Sequence, residues 1–216
     1  MNYKIPIETS ARHLHLCQAD FEQLFGKGKS LTPVKELSQP GQYLAQERLT
    51  VIGPKGKFEN VAIIGPLRKV TQMEVSITDC RKIGVPVVIR QSGDIAGTPG
   101  MTLVSNLGSI TLEQGVMVAQ RHIHMTPNQA VSMHVKDNEE VFVVAESHNR
   151  SLIYGNVIVR VSKDYRLAMH IDTDEANAFS GTSDPFGVII KLFDGVTSYN
   201  IHTWIEELLM GINRHI

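Results

Sequence analysis

The residues best equipped for chemistry are two pairs of histidines. Nine histidines fall in 216 residues, and random placement at that frequency gives about 0.4 His-x-His pairs. Two occur, His13 with His15 in SARHLHL and His122 with His124 in AQRHIHM, in matching contexts 109 positions apart. On a strand, residues i and i+2 share a face, so each pair presents two imidazoles side by side. Imidazole is the commonest ligand of zinc and similar borderline metals. A lone pair would more often be two surface histidines packed across strands; the duplication favours metal binding. The repeat also offers a third ligand. MEVSITD (Met73 to Asp79) and AMHIDTD (Ala168 to Asp174) read as strands ending in Thr-Asp. With a one-residue bulge allowed, Glu74 and His170 take similar places. Each half then supplies three ligands, His13, His15 and Glu74 in one and His122, His124 and His170 in the other. Three protein ligands with open positions is the catalytic zinc pattern, whereas a structural site closes with four. Cys17 could complete a fourth position, but the repeat has Thr126 there, so a capping or packing role is expected.

Arg68, six residues before Glu74 in GPLRKVTQME, could hold an oxyanion in a bidentate fork beside an open metal, or be an ordinary surface arginine. Arg12 and Arg121 flank the histidine pairs and point to the opposite strand face, where structural salt bridges are expected. Gly28, Lys29 and Ser30 imitate the end of a phosphate-binding loop. The glycine required five residues earlier is Gln23, and no strong strand precedes it. No GxSxG, CxxC or HExxH motif occurs.

The elements that must position these groups are mostly strands. LTVIG-PKGK-FENVAII and VFVVAE-SHNR-SLIYGNVIVRV each read as a hairpin around a turn. Further β-like runs are Val85 to Arg90, Met101 to Val104 and Gly115 to Ala119. Short helices are expected at Asp20 to Phe25, closed by Gly26, and after Thr126-Pro127, a cap and first-turn pair. Ile201, Trp204, Ile205, Leu208, Leu209 and Ile212 form an apolar stripe at helical spacing. The internal repeat predicts a mainly β fold of two small β-barrel domains, with short capping α-helices and a C-terminal helix. Composition is ordinary for a globular chain, 42% hydrophobic and 20% charged, with a formal charge of -1. There is no basic field for nucleic acid and no apolar run long enough for a membrane helix. The N-terminus lacks a signal-peptide core, and two cysteines make no disulfide framework. A soluble cytoplasmic protein is expected.

Taken together, RHLHL, GPLRKVTQMEVSITD, SGDIAGTPG, GVMVAQRHIHM and MHIDTDEANA resemble the PduL-type phosphotransacylases, the phosphate propanoyltransferases, from about Pro6 to Leu192. The resemblance implies a discontinuous arrangement: residues 12–119 form the first barrel, residues 1–11 and 120–192 the second, and 193–216 a tail. It implies two zinc ions on the six ligands already named and a phosphate-binding, catalytic role for Arg68. It further implies coenzyme A contacts at Thr9, Ser10, Ala11, Lys55 and Asn177, with Lys35 a weaker candidate. Relatives carry a basic residue where this chain has Ala62. The implied reaction is reversible acyl transfer between acetyl- or propionyl-CoA and inorganic phosphate. Zinc suits it by taking the leaving thiolate at one centre and acting on phosphate at the other. Coupling to an acetate or propionate kinase and a homodimer are implied as partners.

Only twelve residues precede His13, and IPIE reads as a strand rather than the N-terminal targeting helix of microcompartment relatives. A free cytoplasmic enzyme is therefore expected, with the C-terminal stripe as the alternative device for targeting to a bacterial microcompartment lumen, shell or cargo. The competing readings are a zinc-dependent acyl-CoA thioesterase, with water in place of phosphate, and a non-catalytic metal-binding microcompartment component. Arg68 discriminates against the first and the open three-ligand sets against the second.

Overall fold

The computed structural model describes residues 4–147, 149–179 and 184–190; the C-terminal apolar stripe lies outside them. In the first half the elements are β1 (Ile5–Ser10), β2 (His13–His15), α1 (Gln18–Phe25), β3 (Pro33–Glu36), β4 (Tyr43–Ile52), β5 (Lys57–Gly65), β6 (Gln72–Glu74), α2 (Ile77–Ile83), β7 (Ile89–Arg90), β8 (Met101–Val104), β9 (Ser109–Leu112) and β10 (Val116–Ala119). The second half continues with β11 (His122–Met125), α3 (Pro127–Ser132), β12 (Glu140–Ala145), β13 (Leu152–Val161), β14 (Ala168–Asp172), α4 (Thr173–Ala178) and β15 (Phe186–Ile190). The fold is mainly β, and no helix among the described residues is long and apolar enough to cross a membrane.

The strands form two sheets of one design. The second is a closed barrel in the order β1-β14-β11-β13-β12-β15, and the first is a nine-stranded half-barrel in the order β7-β10-β6-β2-β5-β4-β8-β9, with β3 on β4. In both, the histidine strand runs parallel to the second strand of the hairpin and antiparallel to the strand carrying the third candidate ligand. The strand leading into each histidine pair crosses to the other sheet: β1 lies parallel to β14, and β10 parallel to β6. The barrel closes because β1 and β15 pair, Ile5 opposite Gly187. In the other sheet the corresponding edges are taken by β7 on β10 and β9 on β8, so it stays open. Each sheet has its own core: Leu14, Phe21, Leu24, Ile63 and Met73 in one, and Ile5, Ile123, Met125, Val143 and Met169 in the other.

Both expected hairpins form, and the first closes with the Gly53 N–H donating to the Gly56 carbonyl at 2.9 Å. α1 ends at Gly26, whose φ of 97° is a conformation that favours glycine. α3 begins with the Thr126 and Gln129 capping box and Pro127 in its first turn. Two expectations are corrected. MEVSITD is a strand only through Glu74, and the run from Val85 is a strand only at Ile89–Arg90. The Thr-Asp pairs lie in helices, not strands. Ser76 caps α2 reciprocally with Asp79, and Asp172 caps α4 reciprocally with Glu175. These boxes satisfy backbone N–H groups that a helix start leaves open, which is why chain direction changes two residues after each third-ligand position.

Candidate active site

β2 carries His13 and His15 on one face, buried to 6% and 2% exposure. His13 stands directly across from Glu74 on β6. The His13 Nδ1–H donates to the Ala11 carbonyl at 2.8 Å and the His15 Nδ1–H to the Ile64 carbonyl at 3.0 Å. Both Nε2 atoms then carry lone pairs, and they face one another at 3.2 Å. Glu74 oxygens lie 3.6 Å from His13 Nε2 and 3.8 Å from His15 Nε2. Two bare nitrogens and a carboxylate at this range repel unless a cation joins them.

The second set repeats the plan. His122 stands across from His170, and the His122 Nδ1–H donates to the Gln120 carbonyl at 2.9 Å. His124 Nδ1 and His170 Nε2 are buried with no hydrogen-bond partner among the described residues. Such orphaned atoms are costly and fit metal ligation. In each triad one donor atom per residue lies within 4.8 Å of the others. The third-ligand positions need no bulge: Glu74 precedes the Ser76 cap by two residues, as His170 precedes the Asp172 cap. The residue matching Asp79 is Glu175 rather than Asp174.

Burial sets the electrostatics. It pushes the imidazole of His15 down to about 3, helped by His13 and Arg68. Burial and neighbouring imidazoles bring His122 to about 4 and His124 to about 2. His170 is lowered by burial as well, against the pull of Glu8 and Glu74. All four imidazoles are neutral at neutral pH. Burial works the other way on Glu74, pushing its carboxyl up. His13, His15, the Ser92 hydroxyl and Arg68 together outweigh that and hold it at about 2.

Arg68 reaches this centre through Ser92. Its Nη1–H donates to Ser92 Oγ at 2.8 Å, and the hydroxyl donates onward to Glu74 Oε1 at 2.6 Å. Gln72 Nε2 donates to both Glu74 and Ser92, at 2.7 and 2.8 Å. Arg12 and Arg121 are bound instead to the capping-box carboxylates, Asp79 and Glu175, each at 2.8 Å. Cys17 is the N-cap residue of α1, without a side-chain cap bond.

A cavity of about 740 Å³ joins these parts. It is lined by all six candidate ligands and by Arg68, Thr9, Ser10, Ala11, Lys35 and Ala62. Lys55 and Asn177 are not among its lining residues. Lys55 sits in the β4–β5 turn, its backbone N–H bonded to the Ile83 carbonyl at 2.9 Å, and Asn177 lies in α4. Ser92, Arg160, Tyr165, Glu8 and Ser38 line the cavity too and escape the sequence reading, as does buried Gln72. Gln72 could have been found from its place two residues before Glu74 on the same strand face. Arg160 could have been found as the one charge in VIVRV, on the strand face opposite the core valines Val157 and Val159.

Paired three-donor centres on a two-sheet β scaffold, opening on one polar cavity, define a class of enzyme with a candidate two-metal site. A family model described as phosphate propanoyltransferase matches residues 6–182. A protein named phosphate propanoyltransferase from Leptotrichia buccalis is 53% identical over 86% of this chain and 87% of its own length. Another of that name from Thermotoga maritima is 51% identical over 81% and 83%, and one from Salmonella typhimurium 49% over 84% and 85%. The chain belongs to the phosphate propanoyltransferase family and is a transferase.

Proposed function

We propose that this chain transfers an acetyl or propionyl group reversibly between coenzyme A and inorganic phosphate, at two zinc ions. His13, His15 and Glu74 hold one ion, and His122, His124 and His170 the other. When bound, zinc supplies a Lewis acid for the carbonyl and phosphate oxygens and a partner for the departing thiolate. The protein's own groups do the rest. Arg68, braced by Ser92, holds the phosphate as nucleophile and offsets charge as the tetrahedral intermediate forms. Burial keeps the ligand imidazoles neutral. Thr9, Ser10, Ala11 and Lys35 guide coenzyme A along the cavity wall, with Lys55 and Asn177 meeting its more distant end. The observation that carries the reading is the single cavity shared by both ligand triads and Arg68.

The reading extends to a division into units at 12–119 and at 1–11 with 120–192, supported by the crossing of β1 and β10 between sheets. It also includes a cytoplasmic homodimer whose acyl phosphate is consumed by an acetate or propionate kinase. The C-terminal stripe is the alternative device for microcompartment entry, and deleting residues 197–216 tests it. Unchanged localisation and oligomeric state would dismiss that role.

The deciding experiment is release of free coenzyme A thiol from acetyl- and propionyl-CoA, with and without phosphate. Release that requires phosphate and stops with a chelator is expected. Release indifferent to phosphate would make the protein a thioesterase, and none from metal-loaded protein would favour the non-catalytic reading. Arg68→Ala should raise the phosphate requirement by roughly a hundredfold, the worth of a charge-assisted bond pair, and leave metal content intact. Metal loss in that variant would overturn the role given to Arg68.

A further inference from the structure

The charged groups on the cavity wall are mostly accounted for. Arg12 is held by Asp79, Arg68 by Ser92, Glu74 by Gln72 and Ser92, and Glu8 by Ser38. Lys35 and Glu36 are exposed. Arg160 differs. It is half-buried and lines the cavity, yet no hydrogen bond or ion pair joins its guanidinium to another described residue. It sits on β13 directly across from His124, just as Ile158 sits across from His122. Its side chain therefore rises from the face that carries the second ligand set.

Its field reaches the second centre and Arg68. Burial is the main cause of the lowered values of His122, His124 and His170, but the Arg160 charge lowers each further. It acts likewise on Arg68, whose guanidinium burial already disfavours. Arg68 and Arg160 thus bring two partly buried positive charges to one cavity from opposite sheets. Like charges so placed repel and lose hydration. That arrangement is stable in the presence of a small anion with several acceptor oxygens, which two guanidinium forks can share.

We infer that Arg160 is the second arm of a phosphate clamp, opposite Arg68, and that it sets the preference for phosphate over water as acyl acceptor. The inference rests on the acyl-transfer reading above. In the reaction a phosphate oxygen bonds to the thioester carbon, the carbon–sulfur bond breaks and the sulfur leaves as thiolate with the electron pair. Two arms hold the oxygens that do not attack and fix the one that does. Water in the same place offers neither arm a charge, so it gains no orientation from them.

The test compares wild type, Arg160→Gln, Arg160→Lys and Arg68→Gln, each assayed for metal content. The readouts are KM for phosphate at saturating acetyl-CoA, KM for acetyl-CoA, and phosphate binding to the metal-loaded protein by 31P line broadening. The ratio of acetyl phosphate to acetate formed is measured alongside. Arg160→Gln should raise the phosphate KM and weaken phosphate binding by roughly 10- to 100-fold, the worth of hydrogen bonds to a charged group. It should shift product toward acetate, keep KM for acetyl-CoA within about twofold, and keep wild-type metal content. Arg160→Lys, with the charge but not the fork, should fall between. An unchanged phosphate KM and product ratio in Arg160→Gln, with Arg68→Gln impaired, would overturn the clamp and leave the acyl-transfer reading standing. Loss of metal in both Arg160 variants would also overturn it, by making Arg160 a structural residue. Thiol release from wild type that ignores phosphate would instead sink the acyl-transfer reading itself.

Discussion

The two candidate centres share a backbone plan and differ in one ligand, with consequences that spread from it. In the first, Glu74 is an anion held by Gln72 and Ser92 and bordered by Arg68. In the second, three neutral imidazoles converge, and two of their nitrogens have no hydrogen-bond partner among the described residues. The nearest carboxylate there is Glu8, 3.7 Å from the outer nitrogen of His170. On the proposed reading, a divalent cation keeps a single net positive charge in the first set and both charges in the second. The second centre is therefore the stronger electrostatic attractor for an anion. On that reading the duplicated scaffold supplies geometry twice, and the third ligand and its surroundings set the two centres apart.

The sharpest way to break that comparison is at the third ligand itself. Glu74→Ala and His170→Ala should each lose one metal equivalent by elemental analysis. Each should lower phosphate-dependent thiol release by about a thousandfold, since a catalytic metal is worth several kcal/mol. Glu74→His would make the halves alike. It should retain both metal equivalents yet lower kcat by roughly tenfold, because Gln72 and Ser92 lose their acceptor. A wild-type rate in Glu74→His would show that the asymmetry carries no function.

Acid acts on both halves, on a smaller scale, and on Glu74 of the first half only at lower pH. In metal-free protein, His15 is held at about 3 and His122 at about 4, chiefly by burial, against about 6.5 when unfolded. Between those limits the unfolded chain binds the protons and the folded one does not, so stability falls as pH falls below about 6.5. Each histidine contributes about 1.4 kcal/mol per pH unit in that window. Glu74, held at about 2, adds a loss only below its unfolded value of about 4.3. Thermal unfolding of metal-free protein should therefore show Tm dropping from pH 6.5 downward, and Glu74→Gln should retain the drop between pH 6.5 and 5. A flat Tm across that range would mean the histidines are not buried neutral.

Much of this site was legible because duplication turned a weak motif into a strong one. Two His-x-His pairs in equal contexts pointed to a metal, and the same repeat nominated Glu74 and His170. The sequence reading missed the reason for their equivalence. SITD and DTDE are capping boxes in which a side chain must reach back to a backbone N–H three residues away, and short helices of this kind leave almost no hydrophobic period to read. The exchange of β1 and β10 between sheets has no local signature; the family resemblance implied its outcome for β1. The open edge of the first sheet depends on which of several short strands wins a long-range pairing. Arg160 and Ser92 were hidden for a related reason. Their importance comes from what faces them across the cavity, not from their neighbours in the chain.

Ser92 also provides the gentlest test of whether the two centres are independent. Its hydroxyl accepts from Arg68 and Gln72 and donates to Glu74, so it orients a carboxylate of the first set and touches none of the second. Ser92→Ala removes one bond from Glu74 and one acceptor from a half-buried guanidinium, while Gln72 still donates to the same carboxylate oxygen. A partner at this remove from a metal typically alters affinity by about 10- to 100-fold, and the surviving Gln72 bond argues for the lower end. Competition with a chromogenic chelator should therefore show one metal equivalent released about tenfold more readily and the other unchanged, with Ser92→Thr restoring most of the difference. Equal weakening of both equivalents would mean that the cavity couples the two sets, Glu74 acting through the field it already exerts on His122 and His170. The contrast between an anionic and a neutral centre would then be a property of the pair rather than of either half.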